Sequence, residues 1–285
     1  MRWLLVLLAW LAACSPAPAA TGDAVDSAID DVATADASDR GEAAVEAGPP
    51  SCDPGAKTGV DDGSVKTPAG TSVLVRTPTN YDPTIGAPLI IVYAACCISG
   101  AEMQAFTLLT PAATKDGYVI AYADHISPSS SAAFTDAASV LGAVTARYCV
   151  DTANVFLTGH SDGGSLDEVV AIEGLLTPRA IAPSASGLPQ SQLAKCPAAA
   201  ISVFEQHSSG DTLFPISGGY GAPVAAWWAK CGGCGAEDPP RPDGCIPYDA
   251  CAGGVEVLYC QGTAIHGIWP NRDQAILAFF DAHRI

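Results

Sequence analysis

Basic residues are scarce in this chain of 285 residues, which has 13 Lys and Arg residues against 30 Asp and Glu residues and a formal net charge of −17. Proteins that bind nucleic acids or anionic membrane surfaces need the opposite balance, because their cationic side chains neutralise phosphates. The composition therefore excludes nucleic acid as an expected partner. It is also unfavourable for a polyanionic substrate.

The sequence has no apolar run long enough to span a bilayer. Its longest early run, residues 3–11, fits the apolar region of a signal peptide and leads into Leu-Ala-Ala-Cys at Cys14, which resembles a bacterial lipobox. We expect residues 1–14 to be a signal peptide with a lipobox, and the exported protein to be held at the cell envelope only by a lipid on Cys14. The alternative is ordinary cleavage near Ala13 or Ala20, which gives a secreted protein.

Residues 15–50 lack aromatic side chains and carry eight acidic residues against the single base Arg40. Their apolar content is mostly Ala, so little surface can be buried to offset the entropy of ordering. We expect a disordered, acidic tether rich in Ala and Asp. The remaining residues, 51–285, are long enough for one catalytic domain with a sizeable core.

Ten cysteines remain when Cys14 is set aside. An even number in an exported chain indicates disulfides, up to five of them, whose pairing the sequence does not give. The alternative is a zinc knuckle formed by four closely spaced cysteines. These are Cys231, Cys234, Cys245 and Cys251.

Apolar runs alternate with helical patterns, which predicts an α/β fold. The continuous run Leu89-Ile90-Ile91-Val92 indicates a strand covered on both faces, so we expect a mostly parallel sheet sandwiched between helices. Residues 180–187 are taken as a short strand ended by Pro and Gly. The other strands are predicted at 72–76, 89–94, 118–123, 154–158, 199–205 and 255–259, with helices at 101–115, 134–148, 164–174, 219–229 and 271–282.

One stretch, Gly159-His160-Ser161-Asp162-Gly163, follows a β-branched apolar run and precedes a helical segment. Gly-x-Ser-x-Gly between a strand and a helix is typical of a nucleophile elbow, where glycines let the two elements pass closely. Ser161 is therefore the predicted nucleophile, and an ordinary Gly-rich turn is the alternative.

A serine nucleophile needs an imidazole base and an orienting carboxylate. His266 follows the last predicted strand and falls at the same sheet edge as Ser161, and Asp211 follows the strand before it. The order Ser161, Asp211, His266 is that of α/β-hydrolases. His125 and His207 also follow strands and are the other candidates for the base.

The backbone N–H of Asp162 is the expected first oxyanion donor, and the second is expected from the loop 95–100, with Cys96 as the candidate. Trp228 and Trp269 are candidates for stacking on substrate, with burial in the core as the alternative. This chemistry requires no metal and no organic cofactor.

Several separated motifs occur in order along the domain, at 78–83, 148–155, 207–211 with Pro215 and Gly218-Gly219, 227–231, and 262–266 with Trp269-Pro270. Together they resemble the secreted esterase family of α/β-hydrolases that includes polyhydroxybutyrate depolymerases and feruloyl esterases. The resemblance implies the same three residues as nucleophile, acid and base. It departs at Ala94-Ala95, where the family has a His-Gly pair before the oxyanion loop.

The sequence therefore predicts an exported serine esterase that hydrolyses carboxylic esters through an acyl-enzyme. The resemblance implies an ester substrate, with polyhydroxyalkanoates and the feruloyl or acetyl esters of plant polysaccharides as the polymeric candidates. A non-catalytic surface lipoprotein on a hydrolase scaffold is the alternative, and it rests on the Ala94-Ala95 departure.

Overall fold

A computed structural model describes Cys52 and residues 57–285. The predicted signal peptide, the lipidation of Cys14 and the tether lie outside these residues. The strands are β1 Gly63–Lys66, β2 Ser72–Arg76, β3 Ala87–Tyr93, β4 Val119–Ala123, β5 Val150–His160, β6 Ala180–Ser184, β7 Ser202–Ser208, β8 Cys245–Tyr248 and β9 Val257–Gly262.

The nine strands form one sheet in the order β1-β2-β4-β3-β5-β6-β7-β9-β8. Every neighbouring pair from β4 to β9 is parallel, while β1, β2 and β8 run antiparallel to their neighbours. The carboxyl ends of the parallel strands therefore meet at one edge, which is where open α/β sheets place their ligands.

Helices cover both faces of the sheet. They are α1 Gly100–Thr107, α2 Thr110–Lys115, α3 Ser131–Thr145, α4 Asp162–Ile172, α5 Ala222–Cys231 and α6 Asp273–Ala282. Alternate residues of β3 point to opposite faces, so Ile91 packs in the core with α3, α4 and α5, and Ile90 packs in the core with α1, α2 and α6. The predicted three-layer α/β arrangement is confirmed.

One local prediction is wrong, and two strands were missed. The helix expected over 101–115 is two helices, because Leu108 takes a left-handed conformation with φ of 56° and Pro111 lies in the first turn of α2. Two short strands, β1 and β8, were not predicted. Both lie at the edges of the sheet, where a strand pairs with a neighbour on one side only. Their short sequences show little of the alternation of apolar and polar residues that predicts a strand.

The disulfide prediction is confirmed, and the described residues hold five. All four cysteines of the alternative zinc knuckle are bonded to other cysteines, so they are not free to ligate zinc. The pairs are Cys52–Cys149, Cys96–Cys97, Cys196–Cys231, Cys234–Cys251 and Cys245–Cys260. Within the part of the chain that the structure describes, no helix has both the length and the apolarity that a membrane crossing requires.

Candidate active site

Ser161 occupies a sharp turn between β5 and α4, with φ of 58° and ψ of −119°. A non-glycine residue with positive φ is strained, and such strain concentrates at functional sites. The turn depends on close backbone approach, because a Cβ on Gly163 would lie 2.1 Å from the carbonyl oxygen of Tyr93. A Cβ on Gly159 would lie 2.5 Å from the carbonyl carbon of Gly163. Both glycines are therefore required for strand and helix to pass each other at this turn.

The structure brings the three predicted residues together although 105 positions separate Ser161 from His266. His266 Nε2 lies 2.9 Å from Ser161 Oγ, and His266 Nδ1 lies 2.7 Å from Asp211 Oδ2. Both distances are within hydrogen-bonding range. With Nδ1–H donated to the carboxylate, Nε2 is free to accept the hydroxyl proton, which is the arrangement that activates a serine.

Asp211 is held by its own loop. Its Oδ1 accepts the backbone N–H groups of Leu213 and Phe214, each at 2.9 Å. Burial raises the pKa of Asp211, but the hydrogen bonds from His266 and from the N–H of Phe214 outweigh burial, so the net pKa lies below its ordinary value. Asp211 is therefore an anion that accepts three hydrogen bonds, and its Oδ2, which accepts from His266, also lies 3.5 Å from His207 Nε2.

His160 positions the loop that carries His266, through a contact that cannot be read from the sequence. Burial lowers the pKa of His160 to about 3, so its ring is neutral. Its Nε2–H donates to the carbonyl oxygen of His266 at 2.7 Å, and its Nδ1 lies 3.1 Å from Ser184 Oγ. The residue next to the nucleophile thus holds the base by its backbone.

The two other candidate bases lie beside the site in different roles. Burial lowers the pKa of His207, whose Nε2–H donates to the carbonyl oxygen of Phe214 at 2.7 Å, so His207 supports the Asp211 loop. His125 Nε2 lies 2.9 Å from Asp162 Oδ2. Neither is hydrogen-bonded to Ser161, so His266 is the histidine placed to accept its proton.

The expected oxyanion donors lie on the two segments that follow the neighbouring strands β5 and β3. Asp162 begins α4, and an N–H in the first turn of a helix has no intrahelical acceptor. Cys96 is half-buried in the loop after β3, and the backbone N–H of His125 fixes that loop by donating to Ile98 at 3.0 Å. The Cys96 and Asp162 ligand atoms lie within 4.8 Å of each other, so this loop lies beside the beginning of α4.

The two tryptophans predicted to contact substrate lie at different depths. Trp228 is 1% exposed and its Nε1–H donates to Glu168, so it is a core residue and the stacking hypothesis is wrong for it. Trp269 is 7% exposed and packs edge-on against His160, with ring centroids 6.1 Å apart. Its Nε1–H donates to Asp273 at 2.8 Å. Trp269 thus packs against the histidine that holds the His266 loop.

No family model matches the sequence. Over 218 residues the chain is 27% identical to feruloyl esterase B of Piromyces equi, a match that covers 66% of this chain and 41% of that protein. The chain thus spans less than half of the length of this relative.

Among solved structures, the acetyl xylan esterase from Aspergillus awamori has a TM-score of 0.59 at 14% identity and covers 78% of this chain and 99% of its own. The α/β hydrolase MGS-M1, from a Medee basin deep-sea metagenome library, has a TM-score of 0.55 at 13% identity over 79% and 98%. The fold is that of the α/β-hydrolases. At these identities the likeness establishes architecture and nothing more.

A group of buried carboxyl groups lies behind the elbow of this α/β-hydrolase fold. Asp167, Glu168 and Glu205 are each fully buried. Ser186 Oγ–H and Trp228 Nε1–H both donate to Glu168. Burial raises the pKa of Glu168 to about 7, and it raises the pKa values of Asp167 and Glu205 well above their ordinary range. The folded chain therefore binds these protons more tightly than the unfolded chain does.

We expect the free energy of unfolding to fall as pH rises from about 4.5 to about 7. In that window the unfolded Glu168 is ionised while the folded one retains its proton, and each such proton contributes a slope of about 1.4 kcal/mol per pH unit. Glu168→Gln keeps a partner for both hydrogen bonds without a titrating group, so it should reduce the slope by about one proton. Denaturant unfolding at several pH values measures this slope.

The matched control is Glu173→Gln, because Glu173 is exposed at the end of the same helix, where it pairs with Lys195. This control should leave the slope unchanged. An unchanged slope in Glu168→Gln as well would show that Glu168 releases its proton in the folded chain as readily as in the unfolded one.

Proposed function

We propose that the chain is a serine hydrolase that cleaves carboxylic esters. The observation that carries the proposal is the continuous hydrogen-bonded series from Ser161 Oγ through the two ring nitrogens of His266 to Asp211 Oδ2. A strained serine at a strand-to-helix turn, in contact with an oriented imidazole, is built for nucleophilic attack.

In the proposed reaction Ser161 Oγ attacks the ester carbonyl while His266 Nε2 takes its proton. The buried Asp211 anion stabilises the imidazolium that forms. The proton then passes from His266 to the departing alcohol, which leaves an acyl group on Ser161. A water molecule, deprotonated by His266, attacks that acyl-enzyme, releases the acid and restores the serine hydroxyl.

The negative charge on the tetrahedral intermediate requires donors on the side of Ser161 opposite His266. We assign this role to the backbone N–H of Asp162 and to a second N–H from the Cys96 loop. The close packing of Gly163 against Tyr93 supports this assignment, because it brings the end of β3 directly against the beginning of α4.

For the substrate, we propose esters of hydroxycinnamic acids such as ferulate. The sequence relative is a feruloyl esterase, and the groups beside the base are apolar. The Phe214 ring stands edge-on to His266 with centroids 5.0 Å apart, and the neighbouring Ile265 and Ile268 are 54% and 46% exposed. An aromatic acyl group would bury this surface.

We further propose that the protein acts outside the cytoplasm, anchored by a lipid on Cys14. Five disulfides in the described residues suit an oxidising compartment, and the N-terminal sequence supports export. Anchoring is tested by mass spectrometry of membrane-associated protein, which should find an acylated Cys14. An unmodified protein released to the medium would support the secreted alternative.

The catalytic proposal is tested by incubating the purified protein with a fluorophosphonate probe and with three esters: methyl ferulate, acetylated xylan and 3-hydroxybutyrate oligomers. We expect covalent labelling and a kcat/KM highest for methyl ferulate. Labelling combined with a preference for another ester would contradict the proposed substrate class but support the proposed mechanism. Absence of both labelling and hydrolysis would favour the non-catalytic surface lipoprotein.

A further inference from the structure

Three side chains of types that can ligate a metal converge beside the turn that carries Ser161. They are Cys96, His125 and Asp162, all half-buried, and one ligand atom from each lies within 4.8 Å of the other two. None of them belongs to the hydrogen-bonded series of Ser161, His266 and Asp211. The side chains of the cluster are therefore separate from that series, although the backbone N–H groups of Asp162 and of the Cys96 loop are the proposed oxyanion donors.

The topology of the sheet explains why these residues meet. Cys96 follows β3, His125 follows β4, and Asp162 follows β5, while β4, β3 and β5 are adjacent parallel strands. Their carboxyl ends therefore present side chains to one small volume. The backbone N–H of His125 also donates to Ile98, which ties the Cys96 loop to the segment that carries His125.

The donor set is sulfur, nitrogen and oxygen, which is a combination that Zn²⁺ prefers, and three protein ligands leave the fourth tetrahedral position open. Two such ligands, each at about 2.0–2.1 Å from zinc in tetrahedral geometry, lie roughly 3.3 Å apart. His125 Nε2 and Asp162 Oδ2 are 2.9 Å apart. An ion would need to separate them by only a few tenths of an ångström.

One ligand is covalently blocked in this structure, because Cys96 is bonded to its neighbour Cys97. A cysteine ligates zinc as a thiolate and not as part of a disulfide. Cys97 is exposed and accessible to a reductant. The other eight cysteines of the described chain are bonded in four pairs elsewhere.

We propose that Cys96, His125 and Asp162 form a redox-gated site for a thiophilic divalent cation such as Zn²⁺. A small dithiol opens the Cys96–Cys97 bond, giving two cysteine thiols and the cyclic disulfide of the reductant. Zn²⁺ then replaces the Cys96 thiol proton, which passes to solvent, and takes the His125 nitrogen and the Asp162 oxygen as further ligands. The disulfide form has no such site.

Two single variants of the full chain isolate this proposal without any reductant. Both Cys97→Ser and Cys96→Ser remove the bond and leave one free thiol, but only Cys97→Ser leaves that thiol in the cluster. With Co²⁺ as the probe, Cys97→Ser should bind one ion per chain with a thiolate-to-cobalt absorption band that Zn²⁺ abolishes. Cys96→Ser should lack the band.

His125→Ala in the Cys97→Ser background should weaken Co²⁺ binding roughly tenfold or more. The unaltered protein should bind Co²⁺ only after treatment with the dithiol and removal of the excess, because free dithiol also binds Co²⁺ through its thiolates. This measurement tests the site even where a variant fails to fold. The proposal is overturned if the thiolate band is absent from both Cys97→Ser and the reduced protein, or if it is equal in Cys96→Ser. Because the readout is binding, a failure of ester hydrolysis would not affect it.

Discussion

Ser161→Ala is expected to lower kcat/KM for ester hydrolysis by about 10⁴- to 10⁶-fold. The substitution removes the only hydroxyl that is hydrogen-bonded to His266 Nε2 in the described chain. Residual activity would come from the oxyanion donors and from binding alone. The measurement is kcat/KM on methyl ferulate, together with covalent labelling by the fluorophosphonate, which should disappear.

The control for this variant is Ser165→Ala, one turn further along α4. Ser165 Oγ–H donates to the carbonyl oxygen of Ser161 and does not contact the imidazole, so labelling should persist. Position 161 has a positive φ, which strains alanine as it strains any non-glycine residue. The folded fraction of Ser161→Ala must therefore be checked by thermal unfolding. Labelling of folded Ser161→Ala would mean that another residue is the nucleophile.

The nucleophile turn and the strand ends that supply its partners could be predicted from the sequence for a physical reason. An elbow is specified by residues adjacent in the chain, so Gly159, Ser161 and Gly163 carry their own geometric requirement. His266 and Asp211 are distant in sequence, but each follows a parallel strand, and parallel strands end at one edge. The order of strands and loops therefore predicted which side chains would come near Ser161.

Contacts that depend on side-chain packing were not accessible in this way. Nothing in the sequence indicates that His160 donates to the carbonyl oxygen of His266, because the two residues meet only after β5 and the loop beyond β9 are placed. Disulfide pairing has the same dependence. The break at Leu108 was missed because the apolar pattern of 101–115 continues through it, while the backbone turns.

The same limit explains the two tryptophan predictions. Both residues have the size and polarity for substrate stacking, and composition does not distinguish an exposed ring from one that fills a core. Trp228 lies on the face of α5 that packs on the sheet, where the buried Glu168 accepts its N–H. Trp269 lies in the segment between His266 and α6, close to the site, but its ring is buried against His160.

Asp211→Asn is expected to reduce kcat by about 10⁴-fold with little change in the fold. The two backbone N–H groups at Oδ1 can be satisfied only by an acceptor, so the amide oxygen of the asparagine must take that position. Its NH₂ group then faces His266 Nδ1 and donates to it. The imidazole is thereby held with its proton on Nε2, where it can no longer accept a proton from Ser161.

The wrong tautomer in Asp211→Asn arises because the loop fixes the orientation of the side chain at position 211. A second variant distinguishes this effect from the loss of the carboxylate charge. Asp211→Ala leaves the imidazole free to adopt the active tautomer, so it should retain more activity than Asp211→Asn although it removes more atoms. His207→Gln provides the structural control, since His207 supports the same loop through Phe214 without contacting the imidazole. Kcat measured with saturating methyl ferulate ranks the three variants. Equal losses in Asp211→Asn and Asp211→Ala would show that Asp211 acts through its charge and not by fixing the tautomer of His266.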